Sequence, residues 1–276
     1  MKNIVSAILI TLALCITTIT GNTTDGNQKQ TSQKTYALVV SGVSKEPQDR
    51  MTKTKIISGL QKLLNDNPEI SPQTLKILIA DDLPTNSVFG TSTAENIQKT
   101  INAIGAIAKA EDRFIFYYIG QANIVAEKLR FNLRGADITQ EQLARWIKEI
   151  KTSSMLIVLD CPGSGLAAKA ISGHGRVVIC SCTDEQKYRT RFSEYFVPAL
   201  TDGENDTNGD GKTSVLEAFT AASRQIDDWF RRNKLLTTEI PVLEDNGDGR
   251  PSKEPWRYKL DGTDGLAASE FFLIRQ

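Results

Sequence analysis

Met155-Leu156-Ile157-Val158-Leu159 runs straight into Asp160-Cys161-Pro162-Gly163-Ser164-Gly165. A continuous apolar run of this length reads as a strand covered on both faces, and it breaks into a turn of small residues that carries a thiol. A parallel-sheet enzyme would hold a nucleophile at such a place, because sites in open α/β sheets lie beyond the carboxyl ends of the strands. Phe114-Ile115-Phe116-Tyr117-Tyr118-Ile119 breaks in the same manner at Gly120-Gln121-Ala122. The base that would serve the thiol is expected there, and an amide stands in its position.

Outward from these two runs the same pattern repeats. Tyr36–Val40, Leu75–Ala80 and Val177–Cys180 are further apolar, largely β-branched runs. Between them fall helical periodicities: Ile56, Ile57, Leu60, Leu63 and Leu64 on one face, then Ile97, Ile101, Ile104 and Ala108 after a capping box Ser92-x-x-Glu95. Thr139-x-x-Gln142 opens a third helix with Leu143, Trp146, Ile147 and Ile150, and Leu129–Leu133 reads as a short extra strand. Alternating strands and helices predict an α/β domain with an open, mainly parallel sheet and helices on both faces. Ser41-Gly42-Val43-Ser44 follows the first strand where a dinucleotide fold would carry Gly-x-Gly-x-x-Gly, so a nucleotide cofactor is not expected.

The amino-terminal residues read as an export signal over residues 1–21: Lys2, an apolar stretch from Ile4 to Ile19 too short for a bilayer core, then polar residues. Leu12-Ala13-Leu14-Cys15 is similar to a bacterial lipoprotein cleavage box, but Leu14 is large where a small residue is usual, so soluble export is expected over a lipid anchor at Cys15. The expected destination is the periplasm, the cell envelope or the medium, with no transmembrane span in the mature chain. Residues 22–35 have the composition of a polar tether, and folding is expected over residues 36–276. Acidic and basic residues balance at 33 each, which leaves no basic stripe for a nucleic-acid partner. Beyond the signal, Cys161, Cys180 and Cys182 have no zinc-type spacing, and an oxidising compartment allows a disulfide among them without demanding one.

The two strand-end turns together resemble the signature of the caspase-like and legumain-like cysteine peptidases of clan CD. Tyr118-Ile119-Gly120-Gln121-Ala122 stands where that family has Tyr-Ser-Gly-His-Gly, and Asp160 to Gly165 where it has Asp-x-Cys-x-Ser-Gly. The looser similarity runs from about Tyr36 to about Gly249. The resemblance implies a caspase/legumain-like three-layer αβα fold. It also places Gln121 at the catalytic His, Ala122 at the Gly beside it and Pro162 at the catalytic Cys, with Cys161 one residue early. A Gln amide cannot take a proton, so general-base help worth about 10²–10⁴ in rate is lost. A thiol of ordinary pKa, about 8.5, is then only a few per cent thiolate at neutrality. The family's oxyanion is held by the main-chain N–H groups of the nucleophile and of the Gly after the His, and Pro162 has none to give. His174, the one histidine, lies in Ser172-Gly173-His174-Gly175 before the strand Val177–Cys180, at the amino edge of the sheet and away from Cys161.

Asp206-Thr207-Asn208-Gly209-Asp210-Gly211-Lys212-Thr213-Ser214-Val215-Leu216-Glu217 matches a twelve-residue calcium loop of the EF-hand type. Asp206, Asn208 and Asp210 supply side-chain oxygens, Lys212 a carbonyl, Ser214 a direct or water-mediated oxygen and Glu217 the closing carboxylate. The alternative is a solvated Asx-rich turn capping the next helix. Val215, Phe219, Ala222, Ile226, Trp229 and Phe230 give that helix an apolar face, whereas residues 201–205 interrupt the helix before the loop. A structural calcium ion of affinity about 10⁻⁴–10⁻³ M is expected. Glu244-Asp245-Asn246-Gly247-Asp248-Gly249 lacks a closing Glu and reads as a turn.

The expectation is an exported caspase/legumain-like domain, calcium-stabilised, whose peptidase centre is degenerate and whose cleft binds a peptide or protein. An atypical cysteine endopeptidase working through Cys161, with Gln121 or Asp160 orienting it, and a plain structural module of the envelope are the alternatives.

Overall fold

Strand faces alternate residue by residue, so an apolar run buried on both sides divides its side chains between two cores. In β1 (Thr35–Ser41), Ala37 and Val39 enter one core while Tyr36, Leu38 and Val40 enter the other. The same division separates Ile115, Tyr117 and Ile119 from Phe114, Phe116 and Tyr118 along β4 (Arg113–Ile119). In β8 (Ser154–Asp160) it separates Leu156 and Val158 from Met155, Ile157 and Leu159. Each of these large side chains is at most a few per cent exposed, and burial of one such side chain stabilises the fold by about 1.5–3 kcal/mol before entropy is counted. The computed structural model describes residues 33–44, 46–81, 90–261 and 264–274. The expected export segment, Cys15 and the expected tether up to residue 32 lie outside them.

Seven strands form the main sheet in the order β10-β9-β8-β4-β1-β2-β3. These include β2 (Leu75–Ile79), the two-residue β3 (Gly90–Thr91), β9 (Arg176–Cys180) and β10 (Val242–Glu244). All neighbours run parallel except β10, which pairs antiparallel with β9. The five main strands expected from the apolar runs are present. A second, antiparallel sheet, β5 (Ala122–Val125), β6 (Lys128–Phe131) and β7 (Ile138–Thr139), leaves directly from the end of β4.

One face of the main sheet carries α1 (Pro47–Asn65), α5 (Phe192–Ala199) and α6 (Val215–Arg232). The other carries α2 (Ala94–Ile107), α3 (Gln140–Lys148) and the short α4 (Ala168–Ile171). The chain ends in the short α7 (Tyr258–Asp261) and α8 (Leu266–Ser269). The result is a three-layer αβα fold. No helix of the described residues is long and apolar enough to cross a membrane.

Two local expectations are corrected. The cap of α2 is Thr93, whose hydroxyl accepts the Asn96 N–H at 3.2 Å; Ser92 is held one step earlier, donating its N–H to Ile79 O of β2. The tether is also shorter than expected. Gln33 bonds Glu111 O through its amide, Lys34 N–H bonds Asp112 at 2.9 Å, and β1 begins at Thr35. The box expected at α3 is present, with Thr139 and Gln142 capping each other's N–H groups.

Candidate functional site

The chain turns from β1 to β2 on one side and later adds β4 and β8 on the other, so the strand order reverses at β1 and a crevice opens at the carboxyl ends of β1 and β4. Two glycines meet there. A Cβ on Gly120 would lie 2.7 Å from the Gly42 Cα, so only glycine lets the two strand ends touch. A cleft above this contact is lined by Gln121, Asp160 and Pro162 from the sheet, Asp49 and Lys53 of α1, and Arg189 and Glu194 at the start of α5. It encloses about 50 Å³. By that measure one water needs about 10–15 Å³, so the open cleft has room for a few waters or for the tip of a side chain.

The thiol is not in it. Ile119 and Asp160 are paired across β4 and β8 and face the α1/α5 side, and Pro162 lines the same cleft. Cys161, one residue out of phase, is fully buried in the opposite core with Leu159 and Cys180. Burial pushes its thiol well above the usual range, with Cys182, Asp160 and Cys180 adding to the effect. Cys180 and Cys182 are buried too, and all three are free thiols. No disulfide joins the three.

The turn's amides are spent on the turn itself and on the loop that follows β9. Cys161 N–H bonds Ser181 Oγ at 3.1 Å, Gly163 N–H bonds Gln186 O at 2.7 Å and Gly165 N–H bonds Cys182 O at 3.0 Å. Ser164 N–H bonds Cys161 O at 3.2 Å, and Gly120 N–H bonds Asp160 O at 3.1 Å. Pro162 has no N–H. Ala122 is buried at the start of β5 against the second core, and the Gln121 carbonyl is held by the Tyr118 hydroxyl at 2.7 Å. His174 is exposed before β9 at the end where Met155 pairs with Arg176, while Cys161 bonds Ser181 beyond the other end. A strand's length, about 16 Å for five residues, separates the two ends.

Besides Ser44, whose Oγ also lacks a partner, the chemically unfinished group of the cleft is Asp160. It is 3% exposed, its Oδ2 accepts the Ser193 N–H at 2.9 Å, and its Oδ1 has no hydrogen-bond partner. A buried acceptor left bare costs about 1–3 kcal/mol, which a cation or a water reaching it would offset. Behind it stands Glu239, fully buried, which accepts the Arg191 N–H at 2.8 Å and has the Arg191 guanidinium 3.7 Å away. Burial, with the Asp160 charge adding to it, pushes the Glu239 carboxyl up to about 8. Arg191 lies over the Trp229 ring at 3.5 Å. Lys53 is buried and bonds both Gly42 O and Asp81, the latter at 2.9 Å. Burial pulls the Lys53 ammonium down, and the bond and charge of Asp81 resist it.

Sequence reasoning placed Gln121, Asp160 and Pro162 here and missed Lys53, Glu239, Arg189, Arg191 and Glu194. Lys53 had a signal, for it falls four residues before Ile57 on the apolar stripe of α1. Glu239 lies in a loop with no periodicity to mark it.

The loop at Asp206–Glu217 is the second candidate. Asp206 Oδ1 takes the N–H groups of Gly209 and Asp210, and its Oδ2 that of Gly211. Asn208 accepts from Asp210 and Asp210 from Lys212, with the Asn208 amide 3.0 Å from Asp210 Oδ2. Gly211 sits at φ 85°, the left-handed turn that position 6 of such a loop needs. The donor types suit a hard cation, and the loop already curls around Asp206. Glu217, however, is turned onto the loop itself, its Oε1 taking Thr207 and Asn208 and its Oε2 taking Ser214. Among the described residues no three His, Cys, Asp or Glu side chains converge to hold a metal.

Glu244–Gly249 is a turn stapled by acids. Glu244 takes the N–H groups of Gly247 and Gly249, and Asp264 takes those of Asp245, Asn246 and Ser252. No protein-family model and no curated protein matches the chain.

Proposed function

We propose that this chain is an exported, non-cleaving relative of the caspase-like and legumain-like peptidases, and that its cleft holds a basic side chain of a peptide or protein partner. The observation that carries the reading is the bare Asp160 Oδ1, buried in a cleft beside Gln121 and Pro162 while Cys161 faces the opposite core. An unpaired carboxylate oxygen in a narrow cleft favours a cationic tip and disfavours an anionic one. Neither a thiol nor a histidine faces the cleft from the two strand-end turns. Binding is then the work left to the fold.

Calcium takes a structural part in this reading. Asp206, Asn208, Asp210, the Lys212 carbonyl and Ser214 would hold the ion, and Glu217 would exchange its bonds to Thr207 and Asn208 for it. The ion would supply charge neutralisation and stiffness ahead of α6, with no chemical step.

The test is a mixed peptide library incubated with the mature chain and calcium, beside a Cys161→Ala variant. Retention of basic peptides, uncleaved and equal for the two proteins, is the expected result. Cleavage that disappears in the variant would establish instead an atypical endopeptidase working through Cys161.

A further inference from the structure

The cleft already contains a guanidinium. Arg189, in the loop that leads from β9 to α5, places Nε 3.2 Å from Asp49 Oδ1 of α1 and Nη2 3.6 Å from Glu194 Oε1 of α5. It thus crosses the cleft from one helical wall to the other. Among the described residues the other two cations of the site are engaged elsewhere: Lys53 by Asp81 and Gly42 O, and Arg191 by Glu239 and the Trp229 face. If Arg189 swings out, Asp49, Asp160 and Glu194 face one small space with no other cation of the described residues paired to them. Burial already pushes the Glu194 carboxyl up, and the two arginines oppose that rise.

We propose that Arg189 is a displaceable latch, an internal occupant that bridges Asp49 and Glu194 and that a ligand's cation must replace. The inference rests on the reading of the cleft as a receptor for basic side chains and adds how that receptor is closed. The latch is weak enough to open. The Arg189 side chain is 46% exposed, and half-exposed ion pairs of this kind each shift an equilibrium by a factor of about two to five. A receptor that is open for only a fraction of the time loses apparent affinity by that fraction. Removing the latch charge should therefore strengthen binding of a cation about threefold to thirtyfold.

The experiment titrates the full chain and its Arg189→Gln and Arg189→Ala variants with the N-acetyl amide of arginine and, separately, with that of aspartate. Calorimetry gives the affinities, and thermal melts show that the half-exposed substitutions leave the fold intact. The expected result is tighter arginine-amide binding by both variants, within the range above, and loss of that binding when Asp160→Asn is added. Equal or weaker arginine-amide binding by the variants, where the unaltered chain does bind, overturns the latch and leaves the receptor reading standing. Aspartate-amide binding by the unaltered chain that disappears in the variants makes Arg189 an anion receptor and overturns both. No binding of either amide by any of the three proteins also overturns both, because an unlatched receptor should still take its cation.

Discussion

Asp160 and Asp206 are both acids whose neighbours offer main-chain N–H groups, and their oxygens end differently. Asp206 lies on a surface loop that can bend three N–H groups onto its two oxygens. Asp160 ends a central strand whose amides are committed to the sheet and its turn, so only Ser193 from the next helix reaches it. The loop satisfies its own acids, whereas the cleft keeps one oxygen bare. Unmet bonding capacity held in place by a rigid sheet points to a partner, and met capacity in a curled loop points to a structural part.

The comparison breaks most easily at Glu217, which accepts N–H bonds from Thr207, Asn208 and Ser214 together with the hydroxyls of Thr207 and Ser214. Glu217→Ala should cost about 2–4 kcal/mol in urea unfolding at neutral pH. Burial works against the Glu217 charge, but the bonds from Ser214 and Thr207 outweigh it and hold the carboxyl below its usual range. A depressed folded pKa contributes stability above the unfolded value and loses it as pH falls through the folded one. The gap between wild type and variant should then narrow in acid, and a constant gap would show that packing rather than charge is at stake.

Glu239 gives the opposite sign. Its carboxyl is raised to about 8 by burial first and by Asp160 second, so the chain should lose stability as pH climbs from the unfolded carboxyl range toward 8 and beyond. Glu239→Gln, which keeps an acceptor for the Arg191 N–H, should match wild type near pH 4. At pH 9 it should be more stable by on the order of a few kcal/mol. Denaturant midpoints across that window measure it, and parallel curves would remove Glu239 from the account.

A smaller effect is expected at Asp160. Asp160→Asn keeps an acceptor for Ser193 and removes the charge, so stability should shift by about 1 kcal/mol or less while a basic peptide binds about tenfold more weakly. The same variant should lower the Glu239 midpoint, because the Asp160 charge helps to raise it. The calcium response is of similar size. At 10 mM calcium and an affinity of about 10⁻³ M, stability should rise by about 1.4 kcal/mol. Glu217→Ala should abolish that rise, and a rise that survives in the variant would place the ion elsewhere.

The parallel sheet was legible because Phe114–Ile119 and Met155–Leu159 are apolar on both faces, a pattern that only a covered sheet explains. The second sheet was read as one strand, since its hairpin turns at Ala126-Glu127 with φ 49° and 60° and carries none of the Asn-Gly signal such turns usually show. Gln121, Asp160 and Pro162 were legible as strand-end residues, and the phase of Cys161 followed from the two-residue period once Asp160 was known to end β8. Arg189 and Glu239 come from loops folded back over the sheet, where neither period nor spacing marks a side chain.

Everything said of the cleft depends on Cys161 facing the core while Pro162 faces the opening. Alkylation of the native chain with iodoacetamide at pH 8, followed at Cys161 by mass spectrometry, tests this most directly. The account predicts labelling no faster than the chain unfolds, far below the rate of a free thiol in the same buffer. Labelling of Cys161 in the folded chain at or above the free-thiol rate would contradict it.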